Sequence, residues 1–225
     1  MEPIIILAGG FGTRLSSILN NKPKPMADIN GTPFIELLIK NLIKNGFDQF
    51  ILSLHYKSKM IIDYFNKKKY NIKYVVEPKP LGTGGAVSYV IDKFSLHDYI
   101  YILNGDTWME SGYSVLKDYD FNTISVVNID NTSRYGKVEL DKNNRIIKFL
   151  EKNNKIEKGL INSGFYKLNS SLFKNCNNEV FSIENDIFPQ LVEKKELYGK
   201  KISTKFTDIG IPEDYYQFCK LKNNY

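Results

Sequence analysis

The sequence predicts a single α/β domain around a mostly parallel, mixed central sheet, and three observations carry that prediction. Strand-like apolar runs alternate with helix-period segments through the first half. The second half changes to successive strand-like runs, two of them separated by the turn sequence Asp141-Lys142-Asn143-Asn144. No Gly/Ser linker, repeat or break in composition divides the 225 residues, a length that one core can fill.

The first element is Ile4-Ile5-Ile6-Leu7, a short apolar run of the kind found in buried strands. Residues 34–44 follow as a helix, because Phe34, Leu37, Leu38 and Leu42 recur at helical spacing. Thr32 is placed to cap it, Pro33 suits its first turn and Gly46 ends it. A strand is expected at 50–54, a helix at 58–65 and a strand at 72–76. A helix at 86–94 and a strand at 99–103 follow, the latter closing in Asn104-Gly105-Asp106. Such βαβ alternation puts helices on both faces of the sheet. Strands are then expected at 123–129, 136–140, 146–150 and 160–166. A helix at 183–194 has Ser182 as its cap, and a last helix starts at Pro212.

Composition narrows the function classes. Hydrophobic residues make 42% and charged residues 25% of the chain, which fits a globular domain rather than a disordered one. There is no apolar run of 18 residues, so no membrane span is expected. The N-terminus lacks a basic segment ahead of an apolar stretch and cleavage site, so a cytoplasmic location is expected. Cys176 and Cys219 fit no metal spacing and read as reduced thiols. The net charge of +6 raises the question of nucleic acid, but the lysines are dispersed, and Lys67-Lys68-Lys69 reads as a solvated helix end. The same positive balance serves a small anionic substrate. His55 and His97 have no paired acid or ligand nearby in sequence and read as structural or exposed.

The chemistry concentrates after the first strand. Leu7-Ala8-Gly9-Gly10-Phe11-Gly12-Thr13-Arg14-Leu15 carries three glycines, a hydroxyl and an arginine, and Lys24-Pro25-Met26 adds a second cation. Glycines let backbone N–H groups approach a phosphate chain, and fixed cations match its charge. The Walker pattern is absent. The dinucleotide fingerprint fails because Leu15 stands where its third glycine belongs.

These residues resemble the signature of the sugar-1-phosphate nucleotidyltransferases, Gly-Gly-x-Gly-x-Arg-Leu followed by Pro-Lys-Pro-Met, here Gly9 to Leu15 and Pro23 to Met26. The spacer departs from the usual form, with Ser16-Ser17-Ile18-Leu19 in place of Pro-Leu-Thr. The resemblance runs from Ile4 to about Tyr215. It implies a Rossmann-like, GT-A-like domain with its nucleotide-binding part in about residues 1–110. The sugar-phosphate-binding β extension would occupy about 111–225. It implies a nucleoside triphosphate and a sugar 1-phosphate as partners, with neither nucleic acid nor membrane, and leaves a homo-oligomer open.

Site roles follow from the same resemblance. Leu7, Ala8, Gly9, Gly10, Gly12 and Thr13 would bind nucleotide, Arg14 would hold the β- and γ-phosphates, and Lys24 would serve the α-phosphate side. Asn104-Gly105-Asp106 alone reads equally as a turn or as a metal carboxylate at a strand end; the resemblance makes Asp106 a catalytic metal ligand. Asp208, opening Asp-Ile-Gly-Ile-Pro-Glu-Asp-Tyr, would be its partner, with Mg²⁺ as the implied cofactor. Pro80 to Ala86 resembles the base-binding loop, giving roles to Gly82, Thr83 and Gly84. Glu77 just before it could accept hydrogen bonds from guanine N1–H and the exocyclic amine. Gly136, Glu151, Lys152 and Asn162 match the sugar-phosphate elements, with Lys152 on the 1-phosphate and Glu151 and Asn162 on sugar hydroxyls. Without the resemblance, Glu151-Lys152 reads as a solvated strand end, and Tyr99, Tyr101 and Phe165 as core aromatics.

Segments 23–27, 82–86 and 206–215 look most like the branch that transfers GMP to D-glycero-α-D-manno-heptose 1-phosphate, which implies GDP-heptose for capsule, lipopolysaccharide or S-layer glycans. The alternatives are mannose-1-phosphate guanylyl transfer and uridylyl or thymidylyl transfer to another hexose 1-phosphate. A non-catalytic binding subunit is a further alternative; such relatives typically lose one of the residues that stand here as Arg14, Lys24, Asp106 and Asp208.

Overall fold

A computed structural model describes residues 2–150, 156–174, 176 and 179–223. The elements run β1 (Ile4–Leu7), β2 (Asp28–Ile29), β3 (Thr32–Pro33), α1 (Phe34–Lys44), β4 (Phe50–Leu54), α2 (Ser58–Phe65), β5 (Ile72–Val76), α3 (Gly82–Phe94) and β6 (Tyr99–Asn104). There follow β7 (Thr107–Met109), β8 (Thr123–Ile129), β9 (Lys137–Leu140), β10 (Ile146–Leu150), β11 (Gly159–Asn169), α4 (Phe188–Glu193), β12 (Tyr198–Ile202), β13 (Phe206–Asp208) and α5 (Pro212–Asn223).

The central sheet has the order β10-β9-β11-β6-β1-β4-β5, with β8 pairing β11 and β12 off that path. Strands β6, β1, β4 and β5 are parallel, and β11 lies antiparallel against β6. Alternate residues along each strand supply opposite cores, as the two-residue period requires. Ile4, Ile6 and Leu52 face Phe34 and Leu38 of α1, Ile61 and Phe65 of α2, and Phe218 of α5. Ile5, Ile51 and Val75 face Val87 and Val90 of α3 and Phe188 and Leu191 of α4.

This order creates the crevice. From β1 the chain builds outward through β4 and β5, then returns to place β6 on the other side of β1. Loops leaving β1 and β6 therefore diverge at the carboxyl ends of two adjacent strands, where open α/β sheets bind ligands. They stay close at their base: Gly105 N–H donates to Leu7 O at 2.9 Å. A Cβ on Gly105 would lie 2.5 Å from that oxygen.

Several expectations are corrected. Thr32 is not a helix cap; with Pro33 it pairs with Asp28–Ile29, and Pro33 occupies the cap position without a side-chain bond. Helix α3 begins at Gly82 rather than residue 86, because its first N–H groups find Phe181 O. The 183–194 helix is a π-helical turn over Ile183–Ile187 followed by α4. Ser182 does cap it, accepting from the N–H groups of Glu184 and Asn185. Gly136 lies just before β9 rather than in it. Strands β2, β3, β7, β12 and β13 have no counterpart among the sequence expectations.

Candidate active site

The loop after β1 turns through a 3-10 segment at Thr13–Leu15, and a second such turn holds Lys24–Met26. Its three glycines have different reasons to be glycine. A Cβ on Gly9 would lie 2.9 Å from Glu77 Oε1 and 3.1 Å from His55 N. Gly12 has φ +64, and a Cβ there would lie 2.8 Å from Lys24 Cβ. Gly9 and Gly12 are thus required by the chain's own packing. Gly10 has nothing within 4 Å of its virtual Cβ. It is the loop position left open to a ligand.

Opposite this loop, β7 and β13 form a two-stranded ladder that pairs Thr107 with Asp208. Ile209 N–H also donates to Asp106 O at 3.1 Å. The ladder sets the Asp106 and Asp208 carboxylates side by side, with Lys24 between them. Lys24 Nζ donates to Asp106 Oδ2 at 2.6 Å and lies 3.9 Å from Asp208 Oδ1. Burial and the neighbouring Asp106 charge push the Asp208 carboxyl up to about 6, against the pull of Lys24, Arg134 and the Gly210 N–H. Its Oδ1 is buried and accepts no hydrogen bond.

Two carboxylates flanking one ammonium, one of them with an orphaned oxygen, form an oxygen donor set that suits a hard divalent cation. Among the described residues no group of three or more His, Cys, Asp or Glu side chains is placed to hold a metal. Substrate phosphates and water would have to complete the shell.

The crevice encloses about 350 Å³. Of the residues expected from sequence to bind nucleotide or carry catalysis, Leu7, Ala8, Gly9, Gly10, Lys24, Glu77, Gly82, Thr83 and Asp106 line it. Gly12, Thr13, Gly84 and Arg14 do not; Arg14 is exposed on the rim of the loop. Phe11, half-exposed, adds an aromatic wall against His55 and Tyr56.

Glu77 is buried in the wall. Ser53 Oγ donates to its Oε1 at 3.0 Å and Leu81 N–H to its Oε2 at 3.2 Å. Burial pushes its carboxyl up, and these bonds with nearby His55 pull it down. The remaining lone pairs can accept from a ligand donor.

The glycines of 82–85 have a cause the sequence did not reveal. A Cβ on Gly82 would lie 2.4 Å from Phe181 O, one on Gly84 2.2 Å from the Phe181 ring, and one on Gly85 2.2 Å from Glu179 O. Gly84 N–H is spent on Phe181 O at 3.0 Å. These glycines admit the 179–181 strap, and Gly82 and Thr83 also face the cavity.

Asn162, expected from sequence to meet sugar hydroxyls, sits at a register shift of β11 between Asn162 and Tyr166, and Gly164 in that bulge has φ +80. Asn162 Nδ2 donates to the Tyr166 hydroxyl at 2.9 Å, and its Oδ1 accepts from Gly164 N–H at 2.9 Å. Glu151 and Lys152 lie outside the described residues. Arg134 was missed by sequence reasoning. It pairs with Asp214 at the start of α5, and its charge acts on Asp208. Its signal was the Arg-Tyr-Gly run beside Gly136. Tyr135, next to it, is pushed up by burial and by the Asp208 charge.

The crevice at the carboxyl ends of β1 and β6 thus brings together a glycine loop, a nearly enclosed lysine and a pair of aspartates. The chain belongs to the nucleotidyl transferase family, whose model matches residues 4–224. Within it, the chain is 40% identical over 224 residues to a D-glycero-alpha-D-manno-heptose 1-phosphate guanylyltransferase of Campylobacter jejuni, covering 98% of this chain and 99% of the relative. It is 37% identical to a protein of the same name from Aneurinibacillus thermoaerophilus, over 98% of each. In structure it matches HddC from Yersinia pseudotuberculosis complexed with GMP-PN, with TM-score 0.86, 36% identity and coverage of 99% of this chain and 100% of that one.

Proposed function

We propose that the protein transfers GMP from GTP to D-glycero-α-D-manno-heptose 1-phosphate, releasing pyrophosphate and forming GDP-heptose. The observation that carries this reading is the Lys24–Asp106–Asp208 cluster at the crevice. Full-length similarity to heptose 1-phosphate guanylyltransferases selects the substrates.

In this reading a sugar-phosphate oxygen attacks the α-phosphorus in line, one P–O bond forms, and the bond to the β-phosphate oxygen breaks. The phosphate monoester is largely dianionic at neutral pH, its second pKa being about 6, so no general base is required. The protein's task is to hold two anions together and offset their charge. Lys24, nearly enclosed, would orient the nucleophile and α-phosphate. Arg14 on the exposed rim would meet the departing pyrophosphate. The open face at Gly10 would let backbone approach the phosphate chain. Glu77 would accept from the guanine edge. Asp106 and Asp208 would hold Mg²⁺, which when bound supplies positive charge to phosphate oxygens.

The product is an activated glycosyl donor, which fits synthesis of capsule or lipopolysaccharide from a cytoplasmic nucleotide pool. No helix among the described residues is long and apolar enough to cross a membrane.

The test measures pyrophosphate release from GTP, ATP, UTP and dTTP, each crossed with heptose, mannose, glucose and N-acetylglucosamine 1-phosphates. Turnover is expected with GTP and the heptose. Failure of GTP with both manno-configured sugars overturns the substrate reading. Binding without pyrophosphate from any pair overturns the activity.

A further inference from the structure

A buried polar chain joins the nucleotide side of the crevice to the sugar side. Thr83 Oγ1 donates to Glu184 Oε2 at 2.7 Å, and Ser182 Oγ donates to the same oxygen at 2.8 Å. The Tyr166 hydroxyl donates to Glu184 Oε1 at 3.1 Å. The ring of Tyr166 is completely buried. Its hydroxyl also receives the Asn162 amide at 2.9 Å and hydrogen-bonds the Asn104 side chain. Glu184 sits in the π-helical turn, a geometry that recurs where a helix is distorted for function.

The donors and acceptors in this chain allow only one polarity. The Glu184 carboxyl oxygens accept from the Thr83, Ser182 and Tyr166 hydroxyls, so the Tyr166 proton points to Glu184. Both lone pairs of that hydroxyl are then acceptors, and each asparagine must offer its NH₂. The side-chain oxygens must point elsewhere. That of Asn162 accepts Gly164 N–H. That of Asn104 is buried and has no donor. Flipping the Asn104 amide would bring two acceptors together at Tyr166. Gly164 makes the arrangement possible, since a Cβ there would lie 2.8 Å from Asn104 Nδ2. Asn104 lines the crevice beside Asp106. A buried acceptor in the wall of a cavity is stabilised when a ligand brings the missing donor.

We infer that Asn104 is a substrate-binding residue whose side-chain oxygen accepts a hydrogen bond from a substrate hydroxyl, and that Glu184, through Tyr166, is the positioning residue that fixes this polarity. The inference rests on the reading that the crevice holds a nucleotide and a sugar 1-phosphate. The hydroxyl belongs to the ribose or to the transferred sugar, and the experiment separates these sources.

The full chain and its Asn104→Ala, Asn104→Ser, Tyr166→Phe and Glu184→Gln variants are assayed with GTP and mannose or heptose 1-phosphate. The same variants are assayed with 2′-deoxy-GTP, 3′-deoxy-GTP and monodeoxy sugar 1-phosphates. Asn104→Ala is expected to lower kcat/KM by about 10- to 100-fold, the scale of one lost buried hydrogen bond to a ligand. For one deoxy analogue, the wild type should fall by the same factor and Asn104→Ala should fall no further. That analogue identifies the hydroxyl as ribose or sugar. Glu184→Gln can donate to Tyr166 and release the polarity. It should raise KM for the substrate bearing that hydroxyl while KM for the other substrate stays level, a split that a purely structural role would not produce. Calorimetric titration of GTP and its deoxy analogues reads a ribose contact even without turnover, and titration of the sugar 1-phosphates reads a sugar contact. Losses that add for every analogue, or an Asn104→Ala variant equal to the wild type, overturn the inference. Absence of pyrophosphate from the wild type with all pairs instead overturns the proposed activity, while the titrations still decide the contact.

Discussion

Gly10→Ala should separate stability from activity. Gly10 lines the crevice, its virtual Cβ meets nothing within 4 Å, and its φ is not in the left-handed region. The folded chain can therefore take the methyl without strain. Restricting the unfolded backbone should add about 0.4–1 kcal/mol of stability. For a chain of this size that is a rise in Tm of roughly 1–4 °C. The methyl nevertheless enters the space where the phosphate chain would meet the loop. A displacement of about 1 Å at a reacting group can cost about 100-fold, so kcat/KM for GTP should fall by about that factor. Thermal melting and pyrophosphate release on the same preparation measure both effects. Gly12→Ala is the contrast. Its φ of +64 and the 2.8 Å approach to Lys24 Cβ should cost activity together with about 1–2 kcal/mol of stability. If Gly10→Ala kept turnover within about threefold of wild type, the loop would not be the phosphate cradle argued here.

Lys24→Met removes the ammonium held 2.6 Å from Asp106 Oδ2; kcat should drop by about 10²- to 10³-fold, as for loss of one transition-state donor, read by single-turnover kinetics. Glu77→Gln replaces a buried acceptor oxygen with a donor. KM for GTP should rise about tenfold while KM for the sugar 1-phosphate holds, measured by varying each substrate at saturation of the other. Gly84→Ala forces a Cβ to 2.2 Å from the Phe181 ring and should cost about 2–3 kcal/mol in urea unfolding. Phe181→Ala in the same chain should recover at least about 1 kcal/mol as coupling. Glu36, 3% exposed, has its carboxyl pushed up by burial but held down to about 2 by Tyr64, Lys40 and Tyr70. A lowered folded value means stability that is present above the ordinary 4.5 and lost as pH falls from there toward 2. The stake is about 3 kcal/mol at neutral pH. Urea midpoints should fall over that window in the wild type and stay flatter in Glu36→Gln.

The parts of the fold that could be read from sequence are those whose cause is local. The Ile4–Leu7 run, the helical spacing from Phe34 to Lys44 and the βαβ alternation through Leu103 each carry their own period, and the structure keeps their order and most of their bounds, apart from the earlier start of α3 at Gly82. The ladder between Thr107–Met109 and Phe206–Asp208 has no such signal, because three-residue strands show no periodicity and their partners are remote in sequence. Yet that ladder is what sets Asp208 beside Asp106. The aspartates were therefore legible as motif residues, while their mutual geometry was not. The glycines show why motif reading stops short of mechanism. Gly9, Gly12, Gly82, Gly84 and Gly85 are all required by atoms of the chain itself, and only Gly10 of the loop is left open. A glycine-rich motif thus records two demands at once, close packing beneath the site and open space within it, and both appear in sequence as the same letter. Asn104 shows the same limit for polar residues. Asn-Gly-Asp reads equally as a turn or as a metal carboxylate at a strand end, neither of which marks the asparagine, and its oxygen is found unpaired only in the folded chain, where the Tyr166 proton goes to Glu184.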